Sequence, residues 1–172
     1  MDKNIGAVLL ATVIGAGATS NLAAVAQAAA AASCESVANL RQAHGQIDRA
    51  IDRLNHDDRD YGGHRIAAIH DLTDARSSLI LAEQYAIRTY GDAPACFQTI
   101  GAVGGSPFPW GLRTQGSSIQ DVLAVRRWAN ELIFELGGDE RYGGNTTAAI
   151  GDLYGAREQL MRAEEFARAH GY

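Results

Sequence analysis

The chain contains one segment twice, and this internal duplication limits its fold more than any other feature. Residues 58–86, DRDYGGHRIAAIHDLTDARSSLILAEQYA, align without a gap with residues 139–167, DERYGGNTTAAIGDLYGAREQLMRAEEFA. Tyr61 matches Tyr142, and the later matches keep the same offset. Self-similarity at one offset is the signature of a repeated structural unit. We therefore expect two copies of one supersecondary motif.

Each copy predicts a hairpin of two helices. Apolar residues recur every three to four positions on both sides of each Tyr-Gly-Gly triplet, which is the period of an amphipathic helix. The predicted stripes are Val37, Leu40, Ala43, Ile47, Ile51 and Leu54; Ile66, Ile69, Leu72, Leu79, Ile80, Ala82 and Ala86; Ile119, Val122, Leu123, Ala129, Leu132, Ile133 and Leu136; and Ala149, Ile150, Leu153, Ala156, Leu160, Ala163 and Ala167. Ser118 and Asn145 are candidate helix caps.

Two hairpins with one apolar stripe per helix can bury those stripes only against each other. The predicted fold is therefore all-α, a four-helix bundle made of two duplicated antiparallel helical hairpins. Hairpin one covers about 35–90, with helices from about 35 to 57 and 64 to 90, and hairpin two about 119–170. Between them lies a crossover, residues 91–118, which holds all three prolines. We expect its Pro-Phe-Pro-Trp segment, 107–110, to pin the crossover to the bundle; a recognition surface is the alternative.

The N-terminus predicts export. Lys3, the apolar run IGAVLLATVIGAGA and the small residues around Ala26-Gln27-Ala28 have the order of a secretory signal peptide. We expect residues 1–28 to be the signal peptide and 29–172 the duplicated helical-hairpin domain, in the periplasm or secreted. An uncleaved anchor in the inner membrane is the alternative, because residues 4–34 carry no charge. GAGATS imitates a dinucleotide-binding loop, but an alanine tract follows it instead of a βαβ unit.

Export changes how the two cysteines are interpreted. Cys34 and Cys96 are the only cysteines, and an oxidising compartment favours their pairing. In an antiparallel hairpin Cys34 opens the first helix and Cys96 follows the second, so both belong to the same end. The predicted Cys34–Cys96 disulfide would contribute about 4 kcal/mol on the chain-entropy model.

Composition and motifs argue against several functions. The net charge is −5, which gives no electrostatic reason to bind nucleic acid. Nucleophile-elbow and phosphate-loop motifs do not occur in the sequence. We expect no catalysis and no cofactor, and hence a structural or binding role.

The segment DYGGHR, followed by an A-x-x-x-I/L-x-x-A helix, resembles a box of small exported bacterial proteins of helical-hairpin type. The second copy departs from it, with Arg141 for Asp60 and Asn145-Thr146 for His64-Arg65. The resemblance implies an exported helical bundle, and it implies no activity.

The box itself supports two hypotheses. Gly62-Gly63 and Gly143-Gly144 allow positive φ, so a tight turn between helices is expected, with Tyr61 and Tyr142 covering the end of the core and keeping their hydroxyls hydrated. Asp58 and Asp60 are expected to accept hydrogen bonds near the start of the next helix. The alternative is a metal or small-ligand site built from His56, Asp60 and His64. The second copy keeps the turn residues and loses both histidines, which favours the turn.

Three further features have structural interpretations. Asp71 and Arg76 recur as Asp152 and Arg157, and we expect polar contacts around the helix or across the bundle. Glu83 and Glu164 also recur, and we expect them either to lie on a solvated helix face or to form interhelix pairs. The third helix has apolar residues beside its stripe, and the second has three apolar residues in a row. This pattern suggests that another element or a partner packs against these extra apolar residues. These residues are Val125, Trp128 and Phe134, and Leu79-Ile80-Leu81. The crossover or a partner, the protein itself or another one, would pack against them.

Overall fold

The computed structural model describes the backbone of residues 18–90, 118–137 and 142–172, and the side chains of residues 37–89, 119–137 and 142–172. These residues form four α-helices: α1, Ala18–Asn55; α2, His64–Tyr90; α3, Ser118–Leu136; and α4, Asn145–Ala169. Within the described ranges there is no strand. The predicted all-α four-helix bundle is confirmed.

Contacts between side chains give the direction of each helix. They are Arg41 with Glu83 and Arg76 with Asp48 between α1 and α2; Arg126 with Glu164 and Arg157 with Asn130 between α3 and α4; and Gln46 with Trp128 and Arg53 with Asp121 between α1 and α3. For each of these helix pairs, the residue number rises along one helix as it falls along the other. Neighbouring helices are therefore antiparallel, and they follow each other around the bundle as α1, α2, α4 and α3. Because α2 and α3 are parallel, the end of α2 and the start of α3 lie at opposite ends of the bundle.

The most extensive interface, between α2 and α4, is a seam of alternating alanine and leucine. The buried residues of the seam are Ala68, Leu72, Ala75, Leu79, Ala82 and Ala86 on α2, and Ala149, Leu153, Ala156, Leu160, Ala163 and Ala167 on α4. They are spaced by four and three residues, the spacing of a coiled-coil seam. The small alanine side chains allow the two helices to approach closely. The two rows match each other through the duplication, so the seam has an approximate two-fold axis.

Some predicted stripe residues lie elsewhere. Ile66, predicted to face the core, is 52% exposed. The seam begins two residues later, at Ala68, and two residues correspond to about 200° around a helix. On α3, Val125 and Trp128 are buried because this helix packs against both α4 and α1, and the Trp128 indole donates a hydrogen bond to Gln46 Oε1 at 3.1 Å. Phe134 remains 87% exposed.

The first helix begins earlier than predicted. It starts at Ala18 instead of about residue 35 and runs through the expected cleavage position after Ala28. The segment is rich in alanine, the strongest helix former, and no glycine or proline interrupts it before Gly45. Among the described residues no helix combines the length and the apolar character that a membrane span needs.

The predicted disulfide lies outside the described residues. Cys34 belongs to α1 but its side chain is not described, and Cys96 falls in the segment after α2. Residues 1–17 of the predicted signal peptide also lie outside the described ranges.

Candidate functional site: the two Tyr-Gly-Gly boxes and the α2–α4 seam

The first box turns the chain from α1 into α2 with three consecutive left-handed residues. Tyr61, Gly62 and Gly63 have φ of 50°, 68° and 90°. The Gly63 amide donates to the Asp60 carbonyl at 3.2 Å, and the Ala67 amide donates to the Gly63 carbonyl at 3.0 Å. Glycine adopts positive φ without the steric cost that a Cβ imposes. The glycine pair therefore permits the abrupt change of direction.

The second box repeats the two left-handed glycines of the first. Gly143 and Gly144 have φ of 64° and 79°, and Gly144 is the N-cap of α4. The cap predicted at Asn145 is therefore wrong: Asn145 is the first helical residue, and its Nδ2 donates to the Tyr142 carbonyl at 3.0 Å. Because Gly144 is the cap, the Asn145 side chain instead forms a hydrogen bond within the turn.

Each box receives an aromatic ring from the opposite hairpin. A Cβ at Gly62 would lie 2.9 Å from Cδ2 and Cε2 of Phe166, and a Cβ at Gly143 would lie 3.1 Å from Cδ2 and Cε2 of Tyr85. The duplication matches Gly62 with Gly143 and Tyr85 with Phe166, so the two contacts are related by the two-fold axis. The boxes thus lock the hairpins together as well as turning the chain.

The box tyrosines are buried more deeply than predicted. Tyr61 is 2% exposed and Tyr142 is 1% exposed, so the expectation of hydrated hydroxyls is wrong. Residues after α4 help to cover Tyr61: the Tyr172 ring meets it edge-on, with centroids 6.5 Å apart. The Arg59 guanidinium lies 4.4 Å from the centroid of Tyr172 and adds a cation–π contact.

The three predicted metal ligands have other neighbours. Nδ1 of His56 lies 2.7 Å from the carbonyl oxygen of Asp52, and Nδ1 of His64 lies 3.0 Å from Oε1 of Gln159 on α4. Asp60 is exposed. In the described part of the chain no three histidine, cysteine, aspartate or glutamate side chains form a group that could hold a metal ion.

Asp57 is the aspartate that supports the turn, and the sequence interpretation missed it. Asp58 and Asp60, to which that role was given, are exposed, whereas Asp57 is 4% exposed and its Oδ1 accepts the Arg59 amide hydrogen bond at 2.9 Å. Aspartate side chains in turns often accept a hydrogen bond from the amide two residues later. This tendency could have identified Asp57, but it applies equally to the neighbouring Asp58 and Asp60.

Acidic side chains gather on the seam. Desolvation raises the pKa of the Asp71 carboxyl above its ordinary value; His70 opposes this rise, and the charges of Asp152 and Asp74 add to it. Desolvation also raises the pKa of Asp152, with Asp74 adding to the rise and a hydrogen bond from Ser78 Oγ at 3.4 Å opposing it. Like charges close to each other favour protonation.

The recurring arginines do not pair with these aspartates. Arg76 pairs with Asp48 on α1, and Arg157 donates to Asn130 on α3 at 3.2 Å. Each arginine contacts the other helix of its own hairpin, and Asp152 accepts a hydrogen bond from Ser78 on α2, so three of the four residues make polar contacts across the bundle.

The recurring glutamates form interhelix pairs. Glu83 accepts a hydrogen bond from Arg41. Glu164 pairs with Arg126, with 2.7 Å between Nη1 and Oε2, and also with Arg168. Of the two interpretations of this repeat, the interhelix pair is confirmed.

Comparison with known proteins adds no relative: the chain matches no family model, no curated protein and no solved structure.

Proposed function

We propose that this protein is an exported four-helix-bundle protein, periplasmic or secreted, with a structural or binding role and no catalysis. The observation that carries the proposal is the use of the boxes. Both Tyr-Gly-Gly triplets are engaged in packing, with each tyrosine buried and the first glycine of each pair against a ring of the other hairpin. The most distinctive motif of the sequence thus has a structural role. The signal-like N-terminus and the resemblance to small exported helical-hairpin proteins support export.

We place the binding role on α3 or the crossover. Phe134 is 87% exposed on α3, although burying an aromatic ring of this size would be favourable. An exposed apolar side chain on an otherwise polar helix face suits contact with another protein or a second copy of the chain.

The alternative is a metal- or small-ligand-binding protein that uses the segment from His56 to His64. One observation favours it: Oδ2 of the buried Asp57 accepts no hydrogen bond from the described residues. A buried carboxylate oxygen without a donor is a suitable place for a polar ligand.

The double substitution His56→Ala/His64→Ala separates the two proposals. We expect zinc(II) titration calorimetry to give the same trace for this variant as for the unmodified protein, because the two rings contact the Asp52 carbonyl and Gln159 instead of each other. The free energy of unfolding should change by about 1 kcal/mol or less, since His56 is exposed and His64 makes a single hydrogen bond, with Gln159.

His70→Ala is the control, since it removes an exposed histidine outside the box. One zinc ion bound per chain by the unmodified protein and by His70→Ala, with affinity at least tenfold weaker in the double variant, would establish the alternative instead.

A further inference from the structure

The geometry points to a proton-sensitive seam between the two hairpins: Asp71 and Asp152 lie where α2 packs on α4, with Asp74 beside them on α2, and protonation of Asp71 and Asp152 strengthens the contact between the hairpins. The inference goes beyond the proposed function, because it concerns how the two halves respond to the pH around them.

The duplication explains how the cluster arises. Asp71 and Asp152 are matched residues, so the two-fold axis of the seam brings them towards each other. Asp74 matches Gly155, and a Cβ at Gly155 would lie 3.0 Å from Oδ2 of Asp71. The glycine therefore gives the Asp71 carboxylate room at the interface. An exact repeat would place a fourth aspartate at position 155, so the cluster has three carboxylates instead of four.

The charged groups around the cluster offset the repulsion only in part, through the effect of His70 on Asp71. On α2, Nδ1 of His70 lies 3.2 Å from Oδ2 of Asp74. The arginines nearest in sequence, Arg76 and Arg157, contact Asp48 of α1 and Asn130 of α3. Ser78 donates to Asp152 from α2. Among the described residues no lysine or arginine forms an ion pair with Asp71 or Asp152.

The direction of the pH effect follows from linkage. The pKa values of Asp71 and Asp152 are raised in the folded bundle, so the folded state binds protons more tightly than the unfolded chain does. The stabilisation is fully present below the unfolded pKa, and it is lost as the pH rises through the folded pKa values. At neutral pH the charged cluster loosens the seam.

The isosteric substitution Asp71→Asn tests the proposal, with thermal unfolding followed at several values between pH 4 and pH 7.5. Asparagine imitates the protonated carboxyl in shape. We expect the variant to melt roughly 2–4 °C above the unmodified protein at pH 7.5, and this difference to shrink steadily as the pH is lowered and Asp71 and Asp152 take up protons.

Asp58→Asn is the matched control, because Asp58 is exposed and lies outside the cluster but carries the same charge. Asp152→Asn provides the second site. In the combined Asp71→Asn/Asp152→Asn variant the gain at pH 7.5 should be smaller than the sum of the two single gains, since each substitution relieves the same repulsion. Destabilisation by Asp71→Asn at pH 7.5, a difference that does not depend on pH, or the same pH profile in Asp58→Asn would each overturn the proposal.

Discussion

Leu153→Ala should lower the free energy of unfolding by about 3–5 kcal/mol. Leu153 is fully buried in the α2–α4 seam, and truncation removes its transfer free energy and leaves a cavity. The seam neighbours of Leu153 along α4, Ala149 and Ala156, are too short to fill this cavity. We therefore expect a value in the upper part of the usual range, measured by urea denaturation.

Leu72→Ala tests the symmetry of the seam. Leu72 matches Leu153 through the duplication and is equally buried, so its truncation should cost the same to within about 1 kcal/mol. Leu81→Ala is the control on α2, because Leu81 is 49% exposed and its loss should cost about 1 kcal/mol or less. A small effect at Leu72 beside a large effect at Leu153 would contradict a seam formed equally by both copies.

Gly62→Ala should destabilise the bundle by about 2–5 kcal/mol. The residue has a φ of 68°, which costs an L-residue about 1–2 kcal/mol. The new Cβ would also lie 2.9 Å from the ring of Phe166, and overpacking of this kind adds about 1–3 kcal/mol. Chemical denaturation gives the total.

The neighbouring glycine separates the two contributions. Gly63 has a φ of 90° but no atom within 4 Å of its would-be Cβ, so Gly63→Ala should show the backbone cost alone. The second box offers the same comparison: Gly143 faces Tyr85 at 3.1 Å, and Gly144 faces nothing within 4 Å. If Gly62→Ala and Gly63→Ala are equally destabilising, the ring contact contributes nothing, and the boxes do not lock the hairpins together.

The helices and turns were predictable because their signals are local and occur twice. A period of three to four residues, interrupted by Tyr-Gly-Gly, locates the hairpin turns, and the second copy shows which box residues the turn requires. Two failures could have been avoided with local geometry alone. Asp71 and Arg76 are five residues apart, which is about 140° around a helix, so they cannot share a face. Ile66 precedes the first seam residue, Ala68, by two positions, which is about 200° around the helix, so it lies on the side of α2 away from the seam.

The seam cluster could not be predicted, because it depends on which helices pack together and in what register. Asp71 and Asp152 are each an ordinary polar position on an amphipathic helix, and only the antiparallel contact of α2 with α4 brings them together. The burial of Trp128 has a similar origin. The sequence shows that α3 has a second apolar side, but only the packing shows that this side contacts α1.

Native mass spectrometry of the protein recovered from its natural compartment, without reductant, tests the central claim most directly. An exported bundle closed by a disulfide, with boxes that serve as turns, should give a chain beginning near Ala29. Its mass should be two hydrogens below that of the reduced form, with no metal bound. A full-length chain would contradict export by cleavage of the signal peptide. A stoichiometric divalent metal, absent from the His56→Ala/His64→Ala variant, would contradict the structural role of the box.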